Sequence, residues 1–213
     1  MLEQDARRRR EEFANAITHG LGAVLSLAAG TVLIVMAALG GSASDVVGAA
    51  VFAASLVLLY GASTVYHAVA GEIARRRLKV LDHAAIYVLI AGTYTPFMLG
   101  MRGAWGWSLF GVIWGLAAAG VVFKLFFTGR YPRVSTALYI AMGWLIVIAA
   151  GPLLRHLDTA TVIWLAAGGI AYTAGTAFFH AERIPYAHAV WHGFVIAGSA
   201  CHAVAVGLHI GTA

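Results

Sequence analysis

Nine histidines punctuate a chain of 213 residues that is otherwise 61% hydrophobic and 11% charged, and the chemistry open to the protein turns on where they stand. His188 and His192 are four residues apart. On a helix that spacing puts both imidazoles on one face with about 6 Å of rise between them, the geometry in which two rings bind one metal ion in helical His-x-x-x-His zinc sites. A third nitrogen, from His67, would complete a set of three neutral ligands and leave a tetrahedral zinc open to water at its fourth position. Ser63 stands one helical turn before His67, and Asp82 opens the next apolar stretch. Either could hold that water or orient a ligand imidazole. A plainer reading stands beside this one: pairs of histidines at this spacing arise by chance, and amphipathic side chains are commonplace at membrane interfaces.

These residues act together only if the chain brings them to one level. An ordinary soluble domain is about 25% charged; with 11% charged residues and a mean hydropathy of +0.84, this chain cannot cover a water-facing surface. It reads as an all-α membrane protein, which sets aside nucleic-acid binders, soluble enzymes and disordered proteins. A span needs about 20 mostly apolar residues, and seven stretches qualify: Ile17 to Leu39, Val46 to Val69, His83 to Met101, Trp105 to Phe127, Val134 to Leu153, Thr159 to His180 and Ala187 to Ile210. The connections are short, the longest being the arginine-rich stretch Ala70 to Asp82. Residues 1–213 are therefore expected to form a single seven-transmembrane-helix bundle, with 1–16 as a cytoplasmic N-terminal segment.

The formal charge of +5 reflects topology rather than a polyanionic partner, because the basic residues lie in short loops. With the N-terminus inside, the cytoplasmic segments hold twelve of the fourteen Lys and Arg residues, and the outer side holds Arg102 and Arg155. That bias predicts a cytoplasmic N-terminus and, after seven spans, an outer C-terminus in the cell membrane. The first apolar run follows Arg7 to Arg10 as a signal peptide would, but it is too long for one, and Glu11 and Glu12 interrupt the basic segment. The single cysteine, Cys201, excludes an internal disulfide and reads as a small buried hydrophobe.

This topology brings Ser63, His67, Asp82, His188 and His192, far apart in sequence, to the cytoplasmic face. His19 and His180 belong to the same zone, in supporting or interfacial roles. His202, ten residues past His192, lies about 15 Å deeper, out of reach of a shared metal; it reads as a buried hydrogen bond to a neighbouring helix or as a polar lining to a cavity. His156 and His209 fall near the outer surface. Pro96, in Gly92-Thr-Tyr-Thr-Pro96, frees a backbone carbonyl that neighbouring Thr hydroxyls can satisfy; it reads as a kink at a small-residue contact, or as a kink that widens a cavity. Gly111, Gly115 and Ala119 make a stripe suited to close helix packing.

Ser63-Thr-Val-Tyr-His67, Leu81-Asp82-His83 with Gly92-Thr-Tyr-Thr-Pro96, and His188-Ala-Val-Trp-His192 followed by Gly198-Ser199 and His202 resemble the hemolysin III family. This is the bacterial branch of the progestin and adipoQ receptor group, related to the alkaline ceramidases. Glu11-Glu12-Phe-Ala-Asn15 with Thr18-His19-Gly20 fits the same family. The resemblance implies a seven-helix bundle with zinc near the cytoplasmic face, held by His67, His188 and His192, with Asp82 and Ser63 beside it as the acid and hydroxyl. The long N-terminal domain of the animal receptors has no counterpart here, which argues against receptor-type signalling.

Three functions compete. A zinc-dependent intramembrane hydrolase would cleave an amide or ester bond of a membrane lipid, with Asp82 as general base, and would serve lipid homeostasis. A non-enzymatic sensor of membrane lipid state would use zinc to pin the second and seventh spans together. A pore-forming cytolysin, the activity behind the family's name, would need a polar stripe along a whole helix, and no span has one.

Overall fold

The charged N-terminal stretch is rich in strong helix formers, Glu, Arg and Ala, and its charges pair at helical spacing, with Arg7 Nε donating to Glu11 at 3.0 Å. As a result the first helix, α1 (Leu2–Gly40), runs unbroken for 39 residues, about 58 Å against a hydrocarbon core of about 30 Å. The computed structural model describes residues 2–101, 103–181 and 183–211; Arg102 and the last two residues of the C-terminus, both used in the orientation argument, lie outside the described residues.

A capping box opens α2 (Ala43–Ala68): the Ser42 backbone N–H donates to Asp45 at 2.7 Å while the Ser42 hydroxyl accepts from the Asp45 N–H. The connection that follows is much shorter than Ala70 to Asp82, because α3 (Glu72–Met101) begins within the arginine-rich stretch. Asp82 therefore lies inside a helix and not at its start, and helix capping does not explain it. Next come α4 (Gly103–Phe127), α7 (Thr159–Phe179), whose first turn is capped by Asp158, and α8 (Ala187–Gly211).

Between α4 and α7 the fifth apolar stretch is broken into α5 (Pro132–Gly143), a 3₁₀ turn (Leu145–Ala149) and α6 (Ala150–His156). The Tyr94 hydroxyl covers the break. It accepts from the Ile146 N–H at 2.8 Å and stands 2.9 Å from the Met142 and Gly143 carbonyls, one of which it donates to. Among the described residues seven helical stretches are thus long and apolar enough to cross a membrane, the fifth counted as Pro132–His156.

Two local readings change. Thr93 and Thr95 do back-bond, but to the Leu89 and Ala91 carbonyls, and α3 continues through Pro96. Small residues make the contact there: a Cβ on Gly48 would lie 2.7 Å from Pro96 Cα, and one on Gly92 2.2 Å from Ser55 Oγ. The Gly111, Gly115 and Ala119 stripe faces outward, with nothing near either glycine among the described residues. Close packing of α4 uses Ile113, Ala117 and Gly120 instead, the last against the Tyr87 ring.

Helix α1 packs on α2 and α8, α3 on α2 and α4, and α7 on α8, whereas α5 touches α3 and α7 only sparsely. Phe52, Leu56, Tyr60, Tyr87, Phe97 and Val206 fill the tight side. The loosely seated fifth stretch leaves a cavity beside it.

Candidate metal centre

His67 ends α2, and His188 and His192 form the first turns of α8. Their rings meet, with centroids 5.1 Å apart for His67 and His188, 5.2 Å for His67 and His192, and 4.6 Å for His188 and His192. One nitrogen of each ring lies within 4.8 Å of the other two, close enough to share one ion. Since His67 and His192 are buried, their ring nitrogens must find partners or lose free energy.

Helix α1 meets half of that demand. His67 Nδ1 stands 2.7 Å from Glu12 Oε2, and Arg75, in the first turn of α3, pairs with the other Glu12 oxygen. A carboxylate beside Nδ1 holds the proton on that nitrogen and leaves Nε2 bare; His67 Nε2 is buried with no hydrogen-bond partner among the described residues. His192 is held in the same way. The Thr18 hydroxyl stands 2.9 Å from both the Ala14 and Asn15 carbonyls, one of which it donates to, so its oxygen accepts from His192 Nδ1 at 3.0 Å, and the Asn15 carbonyl lies 3.2 Å from the same nitrogen. Two of the three rings are therefore oriented from behind, with Nε2 free to act as a donor atom. Three imidazoles in this arrangement suit a borderline-soft divalent ion such as zinc.

Glu12, Asn15 and Thr18 were not singled out as supports of the metal ligands by the sequence. Their signal was polar residues three apart at the edge of an apolar run, which on a continuous helix share one broad face.

His19 stacks on His192 with centroids 3.4 Å apart and the planes 14° from parallel, and it meets the Tyr60 ring edge-on at 5.0 Å. Both of its nitrogens are buried without a partner, so it touches the cluster directly. His180, by contrast, bonds to Thr136 at 3.0 Å and stays apart. His202 Nε2 donates to the Leu165 carbonyl of α7 at 3.2 Å, and the same ring lines the cavity, so both readings of that residue hold together. Cys201 is a half-buried free thiol. At the far end of the bundle His156 bonds to the Gly100 carbonyl at 2.9 Å, and His209 packs against Phe97.

The cavity beside the fifth stretch has a volume of about 390 Å³. Its polar end is formed by His188, His192, His19, Ser63, Asp82 and His83. Asp82 lies within electrostatic reach of Ser63 and His67, and Ser63 Oγ has no hydrogen-bond partner within 3.5 Å. From that end the cavity extends along α3, α5, α6 and α7, between apolar side chains such as Ile86, Ile90, Leu153, Val162 and Leu165.

Comparison with known proteins identifies the family of the chain. A family model described as Haemolysin-III related matches residues 7–203. The chain is 48% identical over 192 residues to the "Hemolysin-3 homolog" of Bacillus subtilis (strain 168), covering 90% of each chain. It is 49% identical to "Hemolysin-3" of Bacillus cereus over 90% of this chain and 88% of that one. It is also 30% identical to the human "Monocyte to macrophage differentiation factor" over 73% of this chain and 67% of that one. No solved structure matches it.

Proposed function

For a chain that belongs to the haemolysin III family of multi-pass membrane proteins, we propose that His67, His188 and His192 bind zinc and that the protein hydrolyses an amide or ester bond of a membrane lipid. One observation carries this reading: three imidazoles converge, two of them oriented from behind, and His188 and His192 of that set line the polar end of a cavity whose remaining wall is mostly apolar. A lipid presents the same pattern, with a polar linkage at one end and a chain behind it.

Zinc held by three neutral imidazoles would polarise a carbonyl and lower the pKa of a water to about 7. The chain's own groups supply the rest. Glu12 and Thr18 fix the His67 and His192 rings, so the donor atoms do not reorganise during reaction. Asp82 accepts the proton of the attacking water and returns it to the leaving group. Ser63 Oγ, buried beside Asp82, hydrogen-bonds the scissile linkage or the water. The apolar walls exclude bulk water and seat the chain of the substrate.

The positive-inside bias supports a cytoplasmic N-terminus, an outer C-terminus and residence in the cytoplasmic membrane. Two relatives carry a name that speaks of lysis. The cavity is lined by apolar side chains over most of its length, which favours a lipid over a water-filled path.

The test is metal analysis of the purified protein combined with a lipid-hydrolysis panel. Stoichiometric zinc with release of a fatty acid from one amide or ester class is the expected result. Zinc without turnover of any acyl lipid would replace the enzyme with a lipid-state sensor, and absence of zinc would overturn both.

A further inference from the structure

The cavity contains a second set of polar groups, well away from the histidine cluster, that the proposed hydrolysis does not use. His202 follows His192 by ten residues in α8, a rise of about 15 Å. Its Nε2 donates to the Leu165 carbonyl at 3.2 Å, which fixes the tautomer and leaves Nδ1 a bare acceptor. His202 is buried, it lines the cavity, and Nδ1 has no hydrogen-bond partner among the described residues. A buried acceptor left unpaired costs free energy, so this nitrogen calls for a donor that the chain does not provide.

Tyr172 of α7 also lines the cavity, its ring 5.4 Å from that of His202. Its hydroxyl lies 2.7 Å from Ser199 Oγ, and Ser199 Oγ accepts from the Tyr60 hydroxyl at 2.8 Å. Tyr60 donates to Ser199, so the Ser199 proton is available to Tyr172, and in that arrangement the Tyr172 O–H is the free end of the relay. Two glycines make the room: a Cβ on Gly168 would fall 2.3 Å from His202 Cδ2, and one on Gly198 2.8 Å from the Tyr172 ring. A donor and a bare acceptor side by side match one functional group, a hydroxyl, which accepts from Tyr172 and donates to His202.

We propose that His202 and Tyr172 form a hydroxyl-recognition subsite, and that the lipid this cavity takes carries a hydroxyl within its acyl chain. The offset from the metal ligands, about 15 Å, places that hydroxyl on the order of ten methylenes from the reacting carbonyl. The inference rests on the reading of the cavity as a lipid site and not on turnover.

Competition binding to the full chain in lipid nanodiscs tests it. A fluorescent octadecanoic acid probe is displaced by octadecanoic acid, by octadecanoic acid bearing a mid-chain hydroxyl, and by the ethanolamide of each. The hydroxylated compounds should compete roughly three- to tenfold more strongly, the worth of a net hydrogen bond. That advantage should vanish in His202→Leu and in Tyr172→Phe, while displacement by octadecanoic acid is unchanged. If His202→Leu does not fold, Tyr172→Phe, which deletes a single oxygen, carries the test. The free-acid and ethanolamide arms tell whether the chain arrives free or in amide linkage. Equal competition by hydroxylated and plain chains on wild-type protein would overturn the subsite and leave the lipid cavity standing. Displacement by none of the four would overturn both. A retained hydroxyl preference with no cleavage of either ethanolamide would support the subsite and count against amide hydrolysis.

Discussion

The two sides of this bundle are built in opposite ways. On one side α1, α2, α3 and α8 approach closely through small residues: a Cβ on Gly22 would lie 2.5 Å from the Tyr60 ring, one on Gly30 2.6 Å from the Ala53 Cβ, and one on Gly48 2.7 Å from Pro96 Cα. On the other, the fifth stretch is broken at Trp144 and touches its neighbours sparsely. The tight side holds Glu12, Thr18, His67 and His192 in fixed register, as a metal centre requires, because an error of an ångström is enough to lose a ligand. The loose side provides the volume a chain-like ligand needs. Polar partners are shared accordingly: imidazoles on the tight side are bonded from behind by other helices, and the break on the loose side is covered by the Tyr94 hydroxyl.

The largest effect expected is on the metal. His67→Ala, His188→Ala and His192→Ala should each abolish stoichiometric zinc, since two remaining ligands hold the ion weakly, while His202→Ala keeps it. Elemental analysis of the four proteins decides this, and zinc retained in His192→Ala would dissolve the assignment.

Next in size is Asp82→Asn, which keeps shape and hydrogen bonding but accepts no proton. Lipid hydrolysis should fall about 10²- to 10⁴-fold with zinc content little changed. Unchanged turnover would remove Asp82 from the reaction.

A smaller change tests whether α1 serves the site. Glu12→Gln and Thr18→Val should each weaken zinc about 10- to 100-fold, read by chelator competition, with the helical signal intact. Equal affinity in both variants would make α1 a packing helix only.

The smallest effects bear on the contrast between the two sides. Gly48→Ala, whose Cβ meets backbone, should cost about 1–3 kcal/mol. Gly143→Ala on the loose side, with nothing within 4 Å of its Cβ, should stay within about 0.5 kcal/mol. Thermal melting in one detergent compares them, and equal losses would erase the distinction.

Much of this was legible in the residues. A run such as Ala187 to Ile210 has one stable fate in a bilayer, because every buried backbone group must bond within the helix, and the structure differs only by a residue, ending α8 at Gly211. The pair His188 and His192 was legible for the same reason, since helical geometry fixes what lies four residues on. The start of α3 was not. Arg75, Arg76 and Arg77 are too polar for a span, and hydropathy cannot tell a helical extension from a loop. Missing that start put Asp82 at the opening of the third span and hid the ion pair between Arg75 and Glu12.

The sequence alone determined the all-helical membrane class, the seven spans and the histidine set that converges, since these follow from local hydropathy and helical period. Tertiary structure decided which ring nitrogen each ligand frees, because that depends on what stands behind it: Glu12, 55 residues from His67, and Thr18, 174 residues from His192. It also decided that Gly120 and not Gly111 packs, and that a broken fifth stretch opens a cavity reaching both His192 and His202. Hydropathy says that a helix is buried in lipid or protein; only the packed neighbours say on which face.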